Sequence, residues 1–169
     1  MDFSNKPNWQ ATDQDVKDGR WISRSCTVLA IPFFHTSDGD TYVPLGQRSD
    51  KMPDYQGYWG LPCGYLDWDE PLLDCVRREV FEELGLELEV TDVSPQPDFV
   101  MSHPLGDSRQ NVTFRFIIHK FVAPDEALPL LKPGPEVSQA SWVDVLSLNQ
   151  RILAFNHSDV IRWALRQAR

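Results

Sequence analysis

The chain has 169 residues, with 16 Lys and Arg against 25 Asp and Glu, so its formal charge is −9 with His neutral. This length favours one domain, and the 41% share of hydrophobic residues indicates a globular protein with a sizeable core. The acidic balance disfavours nonspecific nucleic-acid binding, and the longest nearly apolar run, Cys26–Phe34, is far shorter than the roughly 20 residues of a membrane helix. Because no apolar segment follows a basic start, we expect a cytoplasmic protein.

The three cysteines, Cys26, Cys63 and Cys75, are odd in number and form no CxxC pair. This pattern argues against a disulfide framework or a cysteine zinc site, so we expect reduced thiols. An acidic protein binds a phosphorylated small substrate only if a cation lies between the two negative surfaces. A cation site is therefore what a phosphate-binding role would require.

The first third of the chain predicts an arm followed by β-structure. Residues 1–20 are polar with few bulky apolar side chains, which indicates an N-terminal arm before a domain at 21–169. Two β-rich runs, 25–35 and 42–47, flank an Asp-Gly turn and predict a hairpin. The segment Trp59–Tyr65 predicts a short strand that ends in a tight loop.

A change of period from 2 to 3.6 predicts an amphipathic helix over Glu70–Leu84. Its apolar side chains at helical spacing are Leu73, Val76, Val80 and Leu84. Asp69 is the expected N-cap, and Pro71 is tolerated in the first turn. Gly85 suits the left-handed position that ends a helix.

Further strands are expected beyond the helix, at 86–93, 98–101, 111–122 and 138–143. In the third of these, Phe114 and Phe116 alternate with Thr113 and Arg115. Residues 128–135 contain three prolines and a glycine and predict a loop, and 160–165 suggest a C-terminal helix. Strands outnumber helices, so the pattern indicates an α/β fold with a mixed sheet.

Three glutamates of the predicted helix, Glu79, Glu82 and Glu83, stand at i, i+3 and i+4, a spacing that brings their carboxylates together on one flank. One interpretation is a solvated acidic face, because runs of charge on helices usually face water. The other is a divalent-cation site, since Mg²⁺ prefers carboxylate oxygens and keeps positions for water and phosphate.

The wider pattern favours the cation site. From Gly64 to Leu86 the chain reads GX5EX7REUXEEXGU, where U is apolar, and every specified position is filled. Chance would place this pattern in a chain of this length on the order of once in ten million. The segment resembles the Nudix box of the Nudix hydrolase superfamily.

The resemblance implies an α/β/α sandwich with a mixed sheet. It also implies a hydrolase that cleaves the pyrophosphate linkage of a nucleoside diphosphate derivative: a nucleotide, a nucleotide sugar or a dinucleotide cofactor. The implied cofactor is Mg²⁺ or Mn²⁺, because cations held by carboxylates position and neutralise a pyrophosphate.

The resemblance also assigns roles within the helix. Glu82 and Glu83 are implied metal ligands, and Glu79 is either a further ligand or the base that accepts a proton from the attacking water. Arg78 is expected to hold a glutamate of the cluster in place by a charge-assisted contact. Glu70, near the helix N-terminus, has an expected structural role.

Residues outside the helix complete the implied site. Gly64 is expected to make a tight loop at the substrate, and the carbonyl of Cys63 to join the metal shell, although many family members have glycine at this position. Glu136, in a loop six residues before a tryptophan, is the candidate fourth carboxylate. Arg48 and His103 are candidate contacts to the substrate.

Secondary signatures of the ADP-ribose and dinucleoside-polyphosphate subgroups are both missing, so the moiety beyond the diphosphate stays open. One alternative is a non-catalytic Nudix-fold domain that senses a nucleotide or joins another protein. Another is an isomerase of isoprenoid diphosphates with a catalytic cysteine, for which Cys26 and Cys63 are the candidates. The intact box favours the hydrolase. Family habit and the aromatic residues Phe3 and Trp9 of the arm favour a homodimer.

Overall fold

The fold is taken from a computed structural model, which describes residues 26–67, 69–102 and 111–167. The arm expected at 1–20 and the candidate contact His103 lie outside these ranges. The described strands are β1 Cys26–His35, β2 Thr41–Arg48, β3 Trp59–Gly60, β4 Cys63–Tyr65, β5 Phe99–Met101, β6 Val112–Phe121 and β7 Val137–Asp144. The helices are α1 Leu72–Leu84 and α2 His157–Gln167, and 3-10 turns cover Val90–Asp92 and Val145–Gln150.

One mixed sheet joins all seven strands, and β1 lies at its centre. On one edge β1 pairs in parallel with β6 over its whole length, from Cys26 opposite Val112 to His35 opposite Phe121. On the other edge it pairs antiparallel with β2 and with β4. The strands β3 and β7 pair with β2, and β5 pairs with β6. The predicted hairpin and mixed sheet are confirmed.

A helix covers each face of the sheet. Alternate side chains of β1 point to opposite faces and enter two separate cores. On one face Val28 and Ala30 pack in the cluster that contains the buried stripe of α1. On the other face Leu29 and Ile31 pack in the cluster that contains the buried residues of α2. The predicted α/β/α sandwich is therefore the observed arrangement. Within the described residues, no helix is both long enough and apolar enough to span a bilayer.

The start of α1 differs from the sequence prediction. Asp69 is not the N-cap: it has a φ of +60°, and the helix begins after Pro71, which is extended and provides no side-chain cap. Proline fixes φ near −65° and suits the first turn, so the start moves to Leu72. The predicted end is confirmed, because Gly85 has a φ of 67° and its N–H bonds to the carbonyl of Phe81.

Two predicted strands are also different in the structure. Residues 86–93 form no strand, although Leu86 and Leu88 are buried as the alternation implied. Instead a reciprocal capping box between Glu89 and Asp92 turns the chain into a 3-10 turn. The segment Trp59–Tyr65 is divided into β3 and β4, which pair with different strands.

Candidate active site

Arg78 on α1 is the centre of a hydrogen-bond network that joins the helix to the segment before it. Its Nε and Nη2 donate to the two oxygens of Glu70 at 2.7 and 2.9 Å, and Nη2 also donates to the Tyr65 carbonyl at 3.0 Å. Its Nη1 donates to Glu79 Oε1 at 2.7 Å and to Glu82 Oε2 at 3.0 Å. The structure thus brings Arg78 into contact with two glutamates of the acidic cluster.

Glu70 fixes the loop that precedes α1. Its Oε2 accepts a hydrogen bond from the Asp67 N–H at 3.0 Å, in addition to the bonds from Arg78. Burial acts to raise the pKa of Glu70, but the hydrogen bonds and the charge of Arg78 outweigh it and lower the pKa below its usual value. The structural role expected for Glu70 agrees with these contacts.

Glu79 lies against β4, where Gly64 leaves space for its carboxylate. A Cβ at Gly64 would overlap the carboxylate of Glu79, and Glu79 is only 8% exposed. Gly64 itself lies in β4 opposite Val28 rather than in a loop. Glycine is needed here because the glutamate approaches closely, and the expected tight loop at this position is not what the structure has.

Glu83 is held by the backbone of β4, since its Oε1 accepts a hydrogen bond from the Cys63 N–H at 3.1 Å. Burial raises the pKa of Glu83 to about 8; the Cys63 N–H opposes this shift, and the charges of Glu79 and Glu136 add to it. Burial likewise raises the pKa of Glu79 to about 7, opposed by Arg78 and reinforced by Glu82 and Glu136. The charged forms of Glu79 and Glu83 are therefore disfavoured in the fold, although Arg78 forms an ion pair with Glu79.

The loop before β7 brings Glu136 to this cluster. The Lys132 N–H bonds to the carbonyl of Leu84 at 2.8 Å and the Gly134 N–H to that of Glu83 at 3.3 Å, so the loop lies on the C-terminus of α1. The carbonyl of Glu136 accepts from the Ser49 N–H at 2.9 Å. These contacts place the predicted fourth carboxylate close enough to raise the pKa of two others.

The carboxylates fit a hard divalent cation by their chemistry, but they are not preformed around one point. Within the described ranges, no three His, Cys, Asp or Glu side chains form a ready metal site. Arg78 binds Glu79 and Glu82, and the Cys63 N–H binds Glu83. The buried Glu79 and the half-buried Glu83, whose carboxylates have raised pKa values, are donors whose charged form Mg²⁺ or Mn²⁺ would stabilise.

The cluster lies between two openings. A cavity of about 330 Å³ is lined at one end by Cys63, Gly64 and Glu136, and it extends along the sheet to Arg115. A groove of about 910 Å³ on the other side is lined by residues that include Arg78 and the glutamates of the box. The predicted site residues within the described ranges are therefore brought together, including Arg48, which lines the cavity.

Arg48 is positioned by the loop that follows β2. Its Nε donates to the Asp54 carbonyl at 3.0 Å, its Nη2 binds the Asp54 carboxylate, and its guanidinium lies 5.2 Å from the ring centre of Phe155. These contacts hold a cation in the cavity wall, beside Cys63 and Glu136.

Two functional candidates in the cavity wall were missed by sequence reasoning. His157, at the start of α2, is buried and accepts a hydrogen bond at Nδ1 from the Leu61 N–H at 3.0 Å. Burial, with the charges of Arg48 and Arg115, lowers its pKa to about 3, so the ring is neutral. Arg115 on β6 is also buried. Neither residue belongs to a sequence motif. Burial in the fold is what distinguishes His157 and Arg115.

Comparison with known proteins gives matches over most of the chain. A family model described as the NUDIX domain matches residues 27–164. The RNA pyrophosphohydrolase of Gluconacetobacter diazotrophicus is 27% identical over 137 residues, which are 73% of this chain and 81% of the relative. An isopentenyl-diphosphate Delta-isomerase of a Jannaschia species is 30% identical over 156 residues, which are 88% of this chain and 82% of the relative.

Solved structures show the same fold. The NUDIX domain of Shewanella oneidensis NrtR, determined with ADP ribose, has a TM-score of 0.67 at 22% identity and covers 94% of this chain and 100% of that domain. The resemblance that the box indicated is thereby confirmed, together with the α/β fold and the enzyme class of Nudix-type pyrophosphohydrolases. The chain belongs to the NUDIX family.

Proposed function

We propose that the protein is a Mg²⁺-dependent hydrolase that cleaves the pyrophosphate linkage of a nucleoside diphosphate derivative. The observation that carries this proposal is the gathering of Glu79, Glu83 and Glu136 along one groove of about 910 Å³, where burial and the charges of neighbouring glutamates raise the pKa of Glu79 and of Glu83. Such a cluster of carboxylates disfavours the binding of a pyrophosphate by charge repulsion, unless a divalent cation is bound between them. Mg²⁺ is the expected ion, and Mn²⁺ is a suitable substitute.

The proposed metal ligands are Glu79, Glu82, Glu83, Glu136 and the carbonyl of Cys63. When bound, a divalent ion supplies neutralisation of the pyrophosphate oxygens and orientation of the attacked phosphorus. Glu83 is held for this purpose by the Cys63 N–H, and Glu136 by the loop on the C-terminus of α1.

Arg78 and Glu79 are the proposed catalytic pair. Arg78 fixes the Glu79 carboxylate through a 2.7 Å hydrogen bond and is itself fixed by Glu70 on the opposite side. Glu79 either ligates the ion or accepts the proton of the attacking water; both roles need the carboxylate in the one place that Gly64 leaves open. Arg48 and His103 remain proposed contacts to the substrate.

A second function has a specific observation in its favour, because one of the relatives is an isopentenyl-diphosphate Delta-isomerase. Of the two candidates for the catalytic cysteine of such a reaction, Cys63 lines the cavity, while Cys26 begins β1. Burial, with the charge of Glu83, raises the pKa of the Cys63 thiol well above its usual value, so the thiolate is disfavoured. We therefore favour hydrolysis.

The test is a screen of nucleoside triphosphates, nucleotide sugars, ADP-ribose, NADH, coenzyme A and dinucleoside polyphosphates with Mg²⁺, with products resolved by mass. Isopentenyl diphosphate is included. Glu83→Gln should lower kcat/KM by at least the ~10- to 100-fold that loss of an outer-shell partner of a metal costs. The matched control is Glu126→Gln, which removes one carboxylate at an exposed loop position and should retain activity.

Each outcome points to one function. Two products whose masses add up to that of the substrate plus one water, and which are lost in Glu83→Gln, support the hydrolase and identify the substrate. Conversion of isopentenyl diphosphate into an isomer of the same mass, separated from the substrate by chromatography, would establish the isomerase. Nucleotide binding without turnover, equal in Glu83→Gln and in the parent protein, would establish the sensing or protein-interaction domain.

We also propose that the domain extends over 21–169 after an arm at 1–20, that the protein is cytoplasmic, and that it forms a homodimer. The oligomeric state is tested by sedimentation of the full chain and of a chain from residue 21. A dimer in the full chain that becomes a monomer without the arm would show that the arm holds the subunits together. A monomer in both would contradict the proposed dimer.

A further inference from the structure

Arg115 lies in the middle of β6 on the same side of the sheet as the cavity. In the register of the sheet, Leu29 is opposite Arg115 on one edge and opposite Cys63 on the other, so these three residues form one row. Phe99 on β5 continues the row beyond Arg115. Residues in one row share a face of the sheet, and Arg115 accordingly lines the cavity that begins at Cys63.

The guanidinium of Arg115 is turned toward β5, away from the carboxylates. Its carbon lies 5.4 Å from the ring centre of Phe99 and 5.9 Å from that of Trp163, and Nη2 donates to Met101 Sδ at 3.4 Å. Strand spacing of about 4.8 Å places the backbone of Arg115 about 10 Å from that of Cys63, two strands away. The guanidinium is therefore at the far end of the cavity from the metal site.

Arg115 is a buried cation whose hydrogen-bonding capacity is largely unused. The residue is only 6% exposed, and its Nε is buried without a hydrogen-bond partner. Among the described residues, no carboxylate forms an ion pair with it, and burial lowers its pKa. A buried guanidinium without a counter-charge destabilises a fold by desolvation, which a bound anion would offset.

The wall of the cavity that Arg115 lines is mixed, with apolar residues such as Leu29 and Met101 and with several polar side chains. Thr113 is two residues away on the same strand and hydrogen-bonds to Thr27 at 2.9 Å, and Asn111 and Asn156 also line the cavity. Hydroxyl and amide groups around a cation are suited to an oxyanion and its attached sugar or chain. An apolar substrate tail would leave the charge of the buried guanidinium without a counter-charge.

We propose that Arg115 binds a second anionic group of the substrate, a phosphate or carboxylate carried by the moiety beyond the cleaved diphosphate. The identity of the substrate in this proposal rests on the proposed function. The anion site itself rests on the cavity alone. It restricts the substrate class to nucleoside diphosphate derivatives with a remote negative charge. Arg115 is then a specificity residue that does not contact the reacting atoms.

Matched substrate pairs test the proposal: coenzyme A against dephospho-coenzyme A, NADPH against NADH, and UDP-glucuronate against UDP-glucose. The first two pairs differ in a phosphate and the third in a carboxylate. In at least one pair the kcat/KM of the parent protein should be about 10-fold or more higher for the anionic member. The difference should lie in KM rather than in kcat. In Arg115→Met this ratio should fall to near 1, and Arg115→Lys should recover part of it.

Arg162→Met is the matched control, because it removes one positive charge from an exposed position on α2 outside the cavity. The control should keep the parent ratio. An equal loss for both members of every pair in Arg115→Met, with the ratio unchanged, would show that Arg115 acts on the shared diphosphate or on the fold, and would overturn the proposal.

A second measurement is independent of turnover. In EDTA, phosphate and malonate should raise the Tm of the parent protein and of Arg162→Met, but not that of Arg115→Met. Arg115→Met is expected to fold with an equal or higher Tm without anions, since it removes an unpaired buried charge. If no compound of the screen is cleaved, the proposed function fails, and this shift still decides the anion site: equal shifts in Arg115→Met and in the parent protein would overturn it.

Discussion

At the scale of single residues, the site depends on positions where a side chain is missing. Gly64 allows Glu79 to lie against β4, and the carboxylate occupies the volume of an absent Cβ. Glycine is therefore required at position 64 because the side chain of Glu79, 15 positions later in the sequence, occupies the space of a Cβ. A sequence pattern records both residues without revealing that they touch.

Gly64→Ala is expected to lower kcat/KM by about 100-fold, because displacement of a catalytic group by about 1 Å has that effect. Gly60→Ala is the control: its Cβ would lie 3.3 Å from His157 Nδ1, a tight contact without overlap, and most activity should remain. Steady-state kinetics on the substrate found in the screen measures both. Wild-type kinetics in Gly64→Ala would mean that Glu79 does not occupy this place during turnover.

His157 makes stability depend on pH. Its pKa is about 3 in the fold, mainly because of burial, against 6.5 for an unperturbed ring, so the unfolded chain binds more protons between these values. Stability therefore rises with pH across this window and is lost as the pH falls below about 6.5.

The prediction compares the parent protein with His157→Gln, which keeps an acceptor for the Leu61 N–H but does not titrate. From pH 7 to pH 5, the free energy of unfolding of the parent should fall by about 2 kcal/mol relative to the variant. Urea unfolding at both pH values measures this difference, and all other titrating groups cancel. Parallel pH profiles would show that the ring is protonated in the folded protein.

At the scale of elements, the C-terminus of α1 and the loop before β7 form one unit. The last carbonyls of the helix accept hydrogen bonds from the loop, and this contact brings Glu136 to the helix. Gly134 makes the approach feasible, since a Cβ there would overlap the carbonyl oxygen of Glu82. The end of the helix and the proposed metal ligand Glu136 are thus held by the same contact.

Gly134→Ala should lower the free energy of unfolding by about 1–3 kcal/mol through this overlap, and should also lower activity, because Glu136 moves. Gly39→Ala is the control, because it introduces backbone strain without a steric overlap. Gly39 has a φ of +90°, and nothing lies within 4 Å of the position that a Cβ would take. Stability should therefore fall while kcat/KM is kept. Urea midpoints at constant m-value and steady-state kinetics provide both readouts. Full activity in Gly134→Ala would contradict a catalytic role for Glu136.

The sequence predicted the elements whose pattern is strictly local. The helix and its C-terminal glycine follow from period and cap chemistry, and the hairpin follows from Asp-Gly between two β-rich runs. Residues 86–93 have the alternation of a strand and bury Leu86 and Leu88, but a strand also needs a partner, which only the tertiary arrangement decides. The N-cap was missed because it is Pro71, whose side chain has no hydrogen-bond acceptor.

The site was predictable to the extent that it lies in the motif. Glu136 was found by its distance from a tryptophan, and the structure places it at the cluster. Arg115 was not found, because alternation with Phe114 and Phe116 suggests an exposed face. That face is covered by α2, which a single strand cannot reveal, and so a cation that looks solvated in the sequence is buried in the fold.

At the scale of the whole molecule, a chain of formal charge −9 gathers four of its carboxylates along one groove, that of Glu79 buried and those of Glu82 and Glu136 exposed. Binding of a divalent ion to the folded state alone should raise stability by RT ln(1 + [L]/Kd), about 2.7 kcal/mol at 100 times the Kd. Mg²⁺ or Mn²⁺ should therefore raise the Tm of the parent protein, and EDTA should reverse the shift. NaCl at matched ionic strength accounts for general screening.

The same titration in Glu83→Gln should give a smaller rise in Tm, whereas Glu126→Gln should match the parent protein. Because Glu83 carries a raised pKa, its amide variant should also be at least as stable as the parent without metal. An equal metal-induced shift in all three proteins would place the ion elsewhere on the acidic surface.

The parallel pairing of β1 with β6 also affects how the protein is made. Cys26 is opposite Val112, so the central strand waits for a partner 86 residues further along the chain. At about 5–20 residues per second, a ribosome needs roughly 4–17 s to synthesise that interval. During this time the residues of the hairpin and of α1 have already been synthesised. The edge of β1 that pairs with β6 still lacks its partner strand and is open to pairing with other chains. The biosynthesis of the sheet thus depends on protection of that edge until the second half of the chain emerges.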